Sequence, residues 1–247
     1  MSGCASRPVN ENGITINDPY EGMNRHIHNF NKGLDSHVIG PTADLVKGDD
    51  GAPKDGQPGL ADMVINIGAN LSLPGKVVNS LLQGRPDPAA QNLLRFAVNS
   101  TVGIGGLMDP AGFHMGLTEV DTDFGQTMAV WGVPEGAYVE LPVLGPSTQR
   151  DTVGKAVDLV IDPWRFALDT PEWLGTIGLR AASKAGERAR FSDTVDSVMQ
   201  GSTDSYAQTR LIYLQHRRHD VGERGDAIDP YAENDADPHA IDPYAAE

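Results

Sequence analysis

The sequence predicts a mainly α-helical fold made of short amphipathic helices, on three observations. Apolar residues recur at helical spacing through most of the chain. The 28 glycines and 17 prolines in 247 residues exceed ordinary usage and should break the helices often. Strand-like alternation is rare. A chain of this length can bury a core of its own. We expect one domain over residues 18–219, preceded by a tether at 1–17 and followed by a disordered acidic tail at 220–247.

Taken in order, residues 1–17 are polar and lack an apolar period, which is the composition of a tether. Leu60, Met63, Val64, Ile67 and Leu71 then fall on one face of a helix that Pro74 should stop or bend. Before it, the run Gly48–Gly59 (GDDGAPKDGQPG) reads as a loop. Its aspartates lack the spacing of a calcium-binding loop. Ala90, Leu93, Leu94, Ala97 and Val98 predict a second helix, and Val153, Val157, Val160 and Ile161 a third. Two more are expected over 175–190 and 203–218, and Tyr138–Leu141, before Pro142, is the best strand. After His219, nine acidic residues face one base, Arg224, and account for eight of the fifteen net negative charges. This segment repeats itself, Ile228-Asp229-Pro230-Tyr231-Ala232 matching Ile241-Asp242-Pro243-Tyr244-Ala245. It reads as a solvating tail, with a short binding motif as the competing reading.

Composition excludes several functions. A net charge of −15 opposes nucleic-acid binding, which needs concentrated Lys and Arg. No run of eighteen apolar residues occurs, so a spanning helix is not expected. The single cysteine, Cys4, follows Ser2 and Gly3. Small residues before such a cysteine resemble the end of a bacterial lipoprotein signal, in which that cysteine is lipidated. The charged and apolar parts of a signal do not precede it here, and Met1 stands where Leu is usual. An incidental free thiol is the competing reading.

Catalytic and cofactor motifs are scarce. Gly103-Ile104-Gly105-Gly106 lacks the third glycine of a dinucleotide fingerprint, and no phosphate-binding loop occurs. A lipid acyl hydrolase would need a nucleophile such as Ser147, with His114 or His216 as base and Asp109 or Asp151 to orient it. The elbow motif is absent, and a turn or helix-cap role suits Ser147 better. His26 and His28 point apart on a helix, and His216 with His219 lack further ligands, so neither a metal nor a cofactor is expected. Arg180, Lys184 and Arg188 form a basic row at i, i+4, i+8, which reads first as a solvated face beside Glu187.

Several blocks carry a resemblance. Asn17-Asp18-Pro19-Tyr20-Glu21-Gly22-Met23-Asn24-Arg25 is followed by Phe30-Asn31-Lys32-Gly33-Leu34-Asp35. Next come Asn70-Leu71 with Pro74, Val78–Gly84, Arg95–Asp109, Asp123–Thr127, Trp131-Gly132-Val133 and Leu141–Asp151. In order and number these resemble the MlaA/VacJ lipoprotein family over about residues 17–165. The resemblance implies a ring-like arrangement of helices in the inner leaflet of the outer membrane, around a central amphipathic channel. It also implies a trimeric outer-membrane porin as partner and delivery of phospholipid to a soluble periplasmic carrier. A structural protein that staples porin to the envelope is the alternative from another class.

Within that frame, residues Gly103, Gly105 and Gly106, running through Asp109 towards Gly116, are expected to form a close-packed hairpin lining the lipid path. Phe113, Met115 and Leu117 would supply its apolar surface beside Asp109, His114 and Glu119, and Gly132 and Gly136 would serve as a hinge. A helix stop followed by an ordinary core turn is the competing reading. Arg180, Lys184 and Arg188 would meet phosphate headgroups.

Overall fold

The computed structural model describes residues 9–11, 14–41, 58–199 and 201–222. Cys4, most of the Gly48–Gly59 run and the repeated acidic motif lie outside the described residues.

The chain opens with β1 (Val9–Glu11) paired antiparallel to β2 (Ile14–Ile16). This corrects the expectation of a featureless tether up to residue 17. Alternation in Ile14-Thr15-Ile16 is short enough to escape a periodicity count, yet Ile16 is buried in the core. The carbonyl of Asn17 then accepts from the Tyr138 amide at 2.8 Å. Helix α1 (Glu21–Leu34) follows and continues as a π-turn over Asp35–Ile39.

Helix α2 (Leu60–Leu82) is long, and Pro74 does not stop it. Proline removes one backbone donor from a helix interior, but packing holds this helix on both sides of the break. Against α2 lies α8 (Thr170–Arg190). A Cβ on Gly68 would come within 2.2 Å of the Ser183 Cβ, so the two helices touch backbone to side chain there. Ser183 donates to the Ile65 carbonyl at 2.8 Å across the same contact. Helix α3 (Pro86–Thr101) packs on α2 as well.

Between them and the second half come the one-turn α4 (Pro110–Phe113) and α5 (Phe124–Val130). The predicted strand is β3 (Tyr138–Leu141), paired antiparallel with β4 (Gly145–Thr148) so that Tyr138 faces Thr148 and Leu141 faces Gly145. Helices α6 (Gln149–Ile161), α7 (Pro163–Ala167), α9 (Ser192–Met199) and α10 (Ser205–Asp220) complete the described elements. Their starts follow capping chemistry: the side chains of Asp123, Thr148, Asp162 and Asp204 each accept a backbone N–H of the first turn. The cap of α6 is therefore Thr148, while Ser147 sits on β4, one residue from the role expected for it.

Candidate functional site

The helices predicted by apolar spacing are present, but their faces run opposite to a water-soluble bundle. On α3 the marker residues Ala90, Leu93, Leu94 and Ala97 are exposed, whereas Asn92, Arg95 and Asn99 are buried. On α6 Val153 and Val160 are exposed while Arg150 and Asp151 are enclosed. The same holds at Leu60 of α2, Phe113 of α4 and Phe166 of α7, all largely exposed. The fully apolar cluster is small: Ile16, Tyr138, Tyr206 and Leu214, with Leu211 and Tyr213 against it. In water this arrangement forfeits the burial that holds a fold together. Against hydrocarbon it places polar groups inside and apolar ones outside, where each is favoured.

The interior is held by charge. Arg217 donates to Asp123 at 2.6 Å and to both oxygens of Asp151 at 2.9 and 3.0 Å, and the Tyr213 hydroxyl donates to Asp151 at 2.6 Å. Burial pushes the Asp151 carboxyl up, but the hydrogen bonds and charge of Arg217 outweigh it and hold it below the usual range. A second network joins α1 to the β3–β4 hairpin. Asn24 donates to Asp18 and to the Tyr138 carbonyl, and Asn31 donates to the Leu141 carbonyl and accepts from the Val143 amide. The buried Glu140 accepts from the Tyr138 hydroxyl and faces the Nδ1 of His28 at 3.4 Å. Arg210 meets Asp18 at 2.6 Å from α10.

One group breaks this pattern of enclosure. Lys76 of α2 is buried to 11% and reaches two carboxylates, Glu119 and Asp121, the latter at 2.5 Å. Asp121 itself is 80% exposed. The charge of Lys76 holds the Asp121 carboxyl below the usual range, with smaller contributions from Lys184 of α8 and Arg217 of α10. Lys184 of α8, 72% exposed, meets Glu187 at 3.0 Å. Of these residues the sequence reading had named Lys184 as a headgroup contact and Glu119 as a polar neighbour of the glycine segment. Lys76 and Asp121 were missed, because a lone Lys between apolar helix positions and an aspartate in a loop carry no spacing signal.

The other expected site residues are distributed as follows. The Gly103 to Gly106 segment closes α3 by turns, with no strand pairing: the Gly106 amide donates to Asn99 and the Met108 amide to Gly103. Gly106, at φ +94°, packs against α2, where a Cβ would fall 2.7 Å from that of Asn70, so close packing is real at this point. Asp109 is clasped by Arg95 at 3.0 and 3.1 Å and by Asn99 at 2.7 Å. Phe113 and Met115 are exposed, and Leu117 is half-buried with its carbonyl on Arg95. Gly132 and Gly136 both have positive φ, in the loop between α5 and β3. Of the basic row, Arg180 is held by Asp162 at 2.6 Å and Arg188 by both oxygens of Asp35 at 2.7 Å. Lys184 is the exposed member of the row.

For the hydrolase reading, Ser147 is 0% exposed, and its hydroxyl accepts from Thr152 and Lys155 at 3.1 Å each. Burial lowers the Lys155 ammonium, with Asp151 opposing. A serine beside a depressed lysine has the elements of a nucleophile, but this one is walled off from any substrate. The carboxylates considered for it, Asp109 and Asp151, are committed to arginines. Among the described residues no three His, Cys, Asp or Glu side chains gather to hold a metal ion, and no helix is long and apolar enough to cross a membrane. A polar cavity of about 380 Å³ lies beside Arg25, His28 and Lys32, with Arg25 already bound to Asp204.

Comparison with known proteins gives concordant results. The family model described as "MlaA lipoprotein" matches residues 16–220. The chain is 33% identical over 234 residues to the intermembrane phospholipid transport system lipoprotein MlaA of Escherichia coli (strain K12), covering 93% of this chain and 87% of that one. It is 30% identical over 228 residues to the protein of the same name in Haemophilus influenzae, covering 90% and 86%. A solved structure described under "Structural basis for maintenance of bacterial outer membrane lipid asymmetry" superposes with a TM-score of 0.66 at 28% identity, covering 83% of this chain and 98% of that one.

Proposed function

The chain belongs to the MlaA lipoprotein family, and from that premise we propose that it moves phospholipids without covalent chemistry, as part of an intermembrane phospholipid transport system. It removes phospholipid that has strayed into the outer leaflet of the outer membrane and passes it to a soluble periplasmic carrier, so preserving lipid asymmetry. The observation that carries this reading is the inverted polarity of α3 and α6, with charged and amide side chains inward and large apolar ones outward. A headgroup crossing hydrocarbon needs a polar path, because an unpaired charge there is costly. A ring of helices in one leaflet supplies that path while the acyl chains stay on its apolar side. Direction comes from tighter binding downstream, since a site alone only shifts an equilibrium.

The same reading assigns lipidation to Cys4, a trimeric outer-membrane porin as the partner that holds the ring in place, and the segment from Gly103 to Leu117 as part of the channel wall. The exposed Phe113 and Met115 beside the Arg95–Asp109 pair support that wall. Gly132 and Gly136 are the hinge that lets it move, supported by their positive φ. The test is an assay of surface-exposed phospholipid in intact cells lacking the protein, using an impermeant amine-reactive label. We expect the label to rise and to return to normal on complementation. Unchanged labelling in the cells lacking the protein, together with co-purification of the protein and porin from wild-type cells, would replace the transport reading with a purely structural one.

A further inference from the structure

We propose that the polar cavity beside Arg25 and Lys32 is the docking site of this chain's own acidic segment after α10, through Asp242-Pro243-Tyr244. The proposal stands apart from the transport reading and concerns a contact within one molecule.

The tripeptide Asp-Pro-Tyr occurs three times in the chain, at 18–20, 229–231 and 242–244. The first copy lies in the folded body and shows how this protein holds such a carboxylate. Asp18 is enclosed, and it accepts from the Asn24 side chain at 2.8 Å, from the Tyr206 hydroxyl and from Arg210 at 2.6 Å. Cation and hydroxyl converge on it. The cavity offers the same chemistry: Arg25 and Lys32 bring charge, and Ser202, Thr203 and Ser205 bring hydroxyls. Tyr206 belongs to both places, since it donates to Asp18 and lines the cavity, with Arg25 4.5 Å from its ring centre.

Charge selects the kind of occupant. Asp204 meets Arg25 at 2.9 Å, and His28 turns its Nδ1 to Glu140 and its Nε2 to Ser205. Lys32, half-buried in the last turn of α1, makes no ion pair among the described residues. A partly desolvated ammonium without a counter-charge favours an acidic ligand. Residues 220–247 supply one, with nine acidic residues against one base. Reach selects the copy. The cavity sits at the start of α10 and the acidic segment leaves from its other end, so sixteen residues of helix, roughly 24 Å, separate them. The seven residues from Gly222 to Asp229 span about 25 Å at full stretch, which leaves no slack for turning back. The twenty from Gly222 to Asp242 span up to about 70 Å and reach with ease. Pro243 restricts Asp242 to extended conformations, so presenting its carboxylate costs little further ordering.

The experiment places the photo-crosslinking residue p-benzoylphenylalanine at Tyr244 of the full chain in detergent and maps the adducts by mass spectrometry. Adducts should fall on α1 between Arg25 and Lys32 and on residues 202–206, in products with the mass of a single chain. Their yield should fall with added salt. Lys32→Glu and Asp242→Asn should each lower it about threefold or more, whereas Asp229→Asn should leave it as it was. Lys32→Glu combined with Asp242→Lys should restore the yield, with helicity unchanged throughout. Adducts scattered over the surface, a yield indifferent to Lys32→Glu, or no recovery in the exchanged pair would overturn the docking. Products with the mass of two chains would overturn it as well, in favour of a contact between copies.

Discussion

Arg217 holds Asp123 from the cap of α5 and Asp151 from the first turn of α6, so one side chain of α10 ties three helices together. Removing one partner of such an enclosed pair leaves carboxylates without compensation, which costs about 3–5 kcal/mol. Arg217→Met should therefore lower the unfolding free energy by that amount, read as a lower denaturant midpoint at unchanged slope; a midpoint within error of the native value would show the pair to be dispensable. The pH dependence has a definite sign. The Asp151 carboxyl sits below its usual value in the fold, so its contribution is complete above about pH 4, where the unfolded carboxylate is ionised, and is lost as pH falls through the folded value. In Arg217→Met that depression shrinks, and the acid limb of the stability profile should become shallower. Another residue-scale constraint lies at Val143, whose φ of 68° is unusual for a β-branched side chain. Asn31 clamps it, accepting from the Val143 amide at 2.7 Å and donating to the Leu141 carbonyl at 2.9 Å. Asn31→Ala leaves two backbone groups unpaired and should cost about 1–3 kcal/mol by equilibrium unfolding.

At the scale of elements, the glycine segment after α3 separates two effects that a single substitution would confuse. A side chain at Gly106 strikes Asn70 of α2, so Gly106→Val should destabilise the α2–α3 contact and lower transport through misfolding. Gly105 has open space around it at φ +70°, so Gly105→Ala should cost only ~1–2 kcal/mol of backbone strain and keep the fold. If the segment lines the path, Gly105→Ala alters the rate of phospholipid transfer at unchanged helicity; native transfer by a folded Gly105→Ala protein would make the segment scaffold. Much at this scale was legible in the sequence. Leu93 with Leu94 located α3, Tyr138–Leu141 located β3, and Asp151 marked the start of α6. The sense of each face was not legible, because period reports that a helix has two faces and not which one meets solvent. The signal lay in the complementary stripe: Asn92, Arg95 and Asn99 at i, i+3, i+7, and Asn24, His28 and Asn31 at i, i+4, i+7, are polar stripes that fit a buried face once hydrogen-bonded partners exist. The cluster of Lys76 with Glu119 and Asp121 was illegible for another reason, since these residues meet only through tertiary structure.

For the whole molecule, the outward apolar surface and the proposed anchor at Cys4 are separate means of holding the membrane, and they can be told apart. A single acyl chain gives weak, reversible binding, so a second contribution is needed for stable attachment. Leu93 and Leu94 of α3, Val160 of α6 and Phe166 of α7 are all exposed and lie on three helices. Transfer of each from water into lipid contributes roughly 1.5–3 kcal/mol, and four together exceed the contribution of modest lipidation. Cys4→Ser should consequently reduce but not abolish recovery in the outer-membrane fraction. Changing the four residues to Gln in the Cys4→Ser background should release the protein, lowering its partition onto phospholipid vesicles by at least about a hundredfold. The interior networks at Arg217 and Glu140 are untouched by these changes, so helicity and the thermal transition should persist, and the released protein should become more soluble without detergent. A quadruple variant that stays on the vesicles with native affinity would mean that the outward apolar faces contact protein and not lipid, and would shift the membrane-holding role to the porin partner.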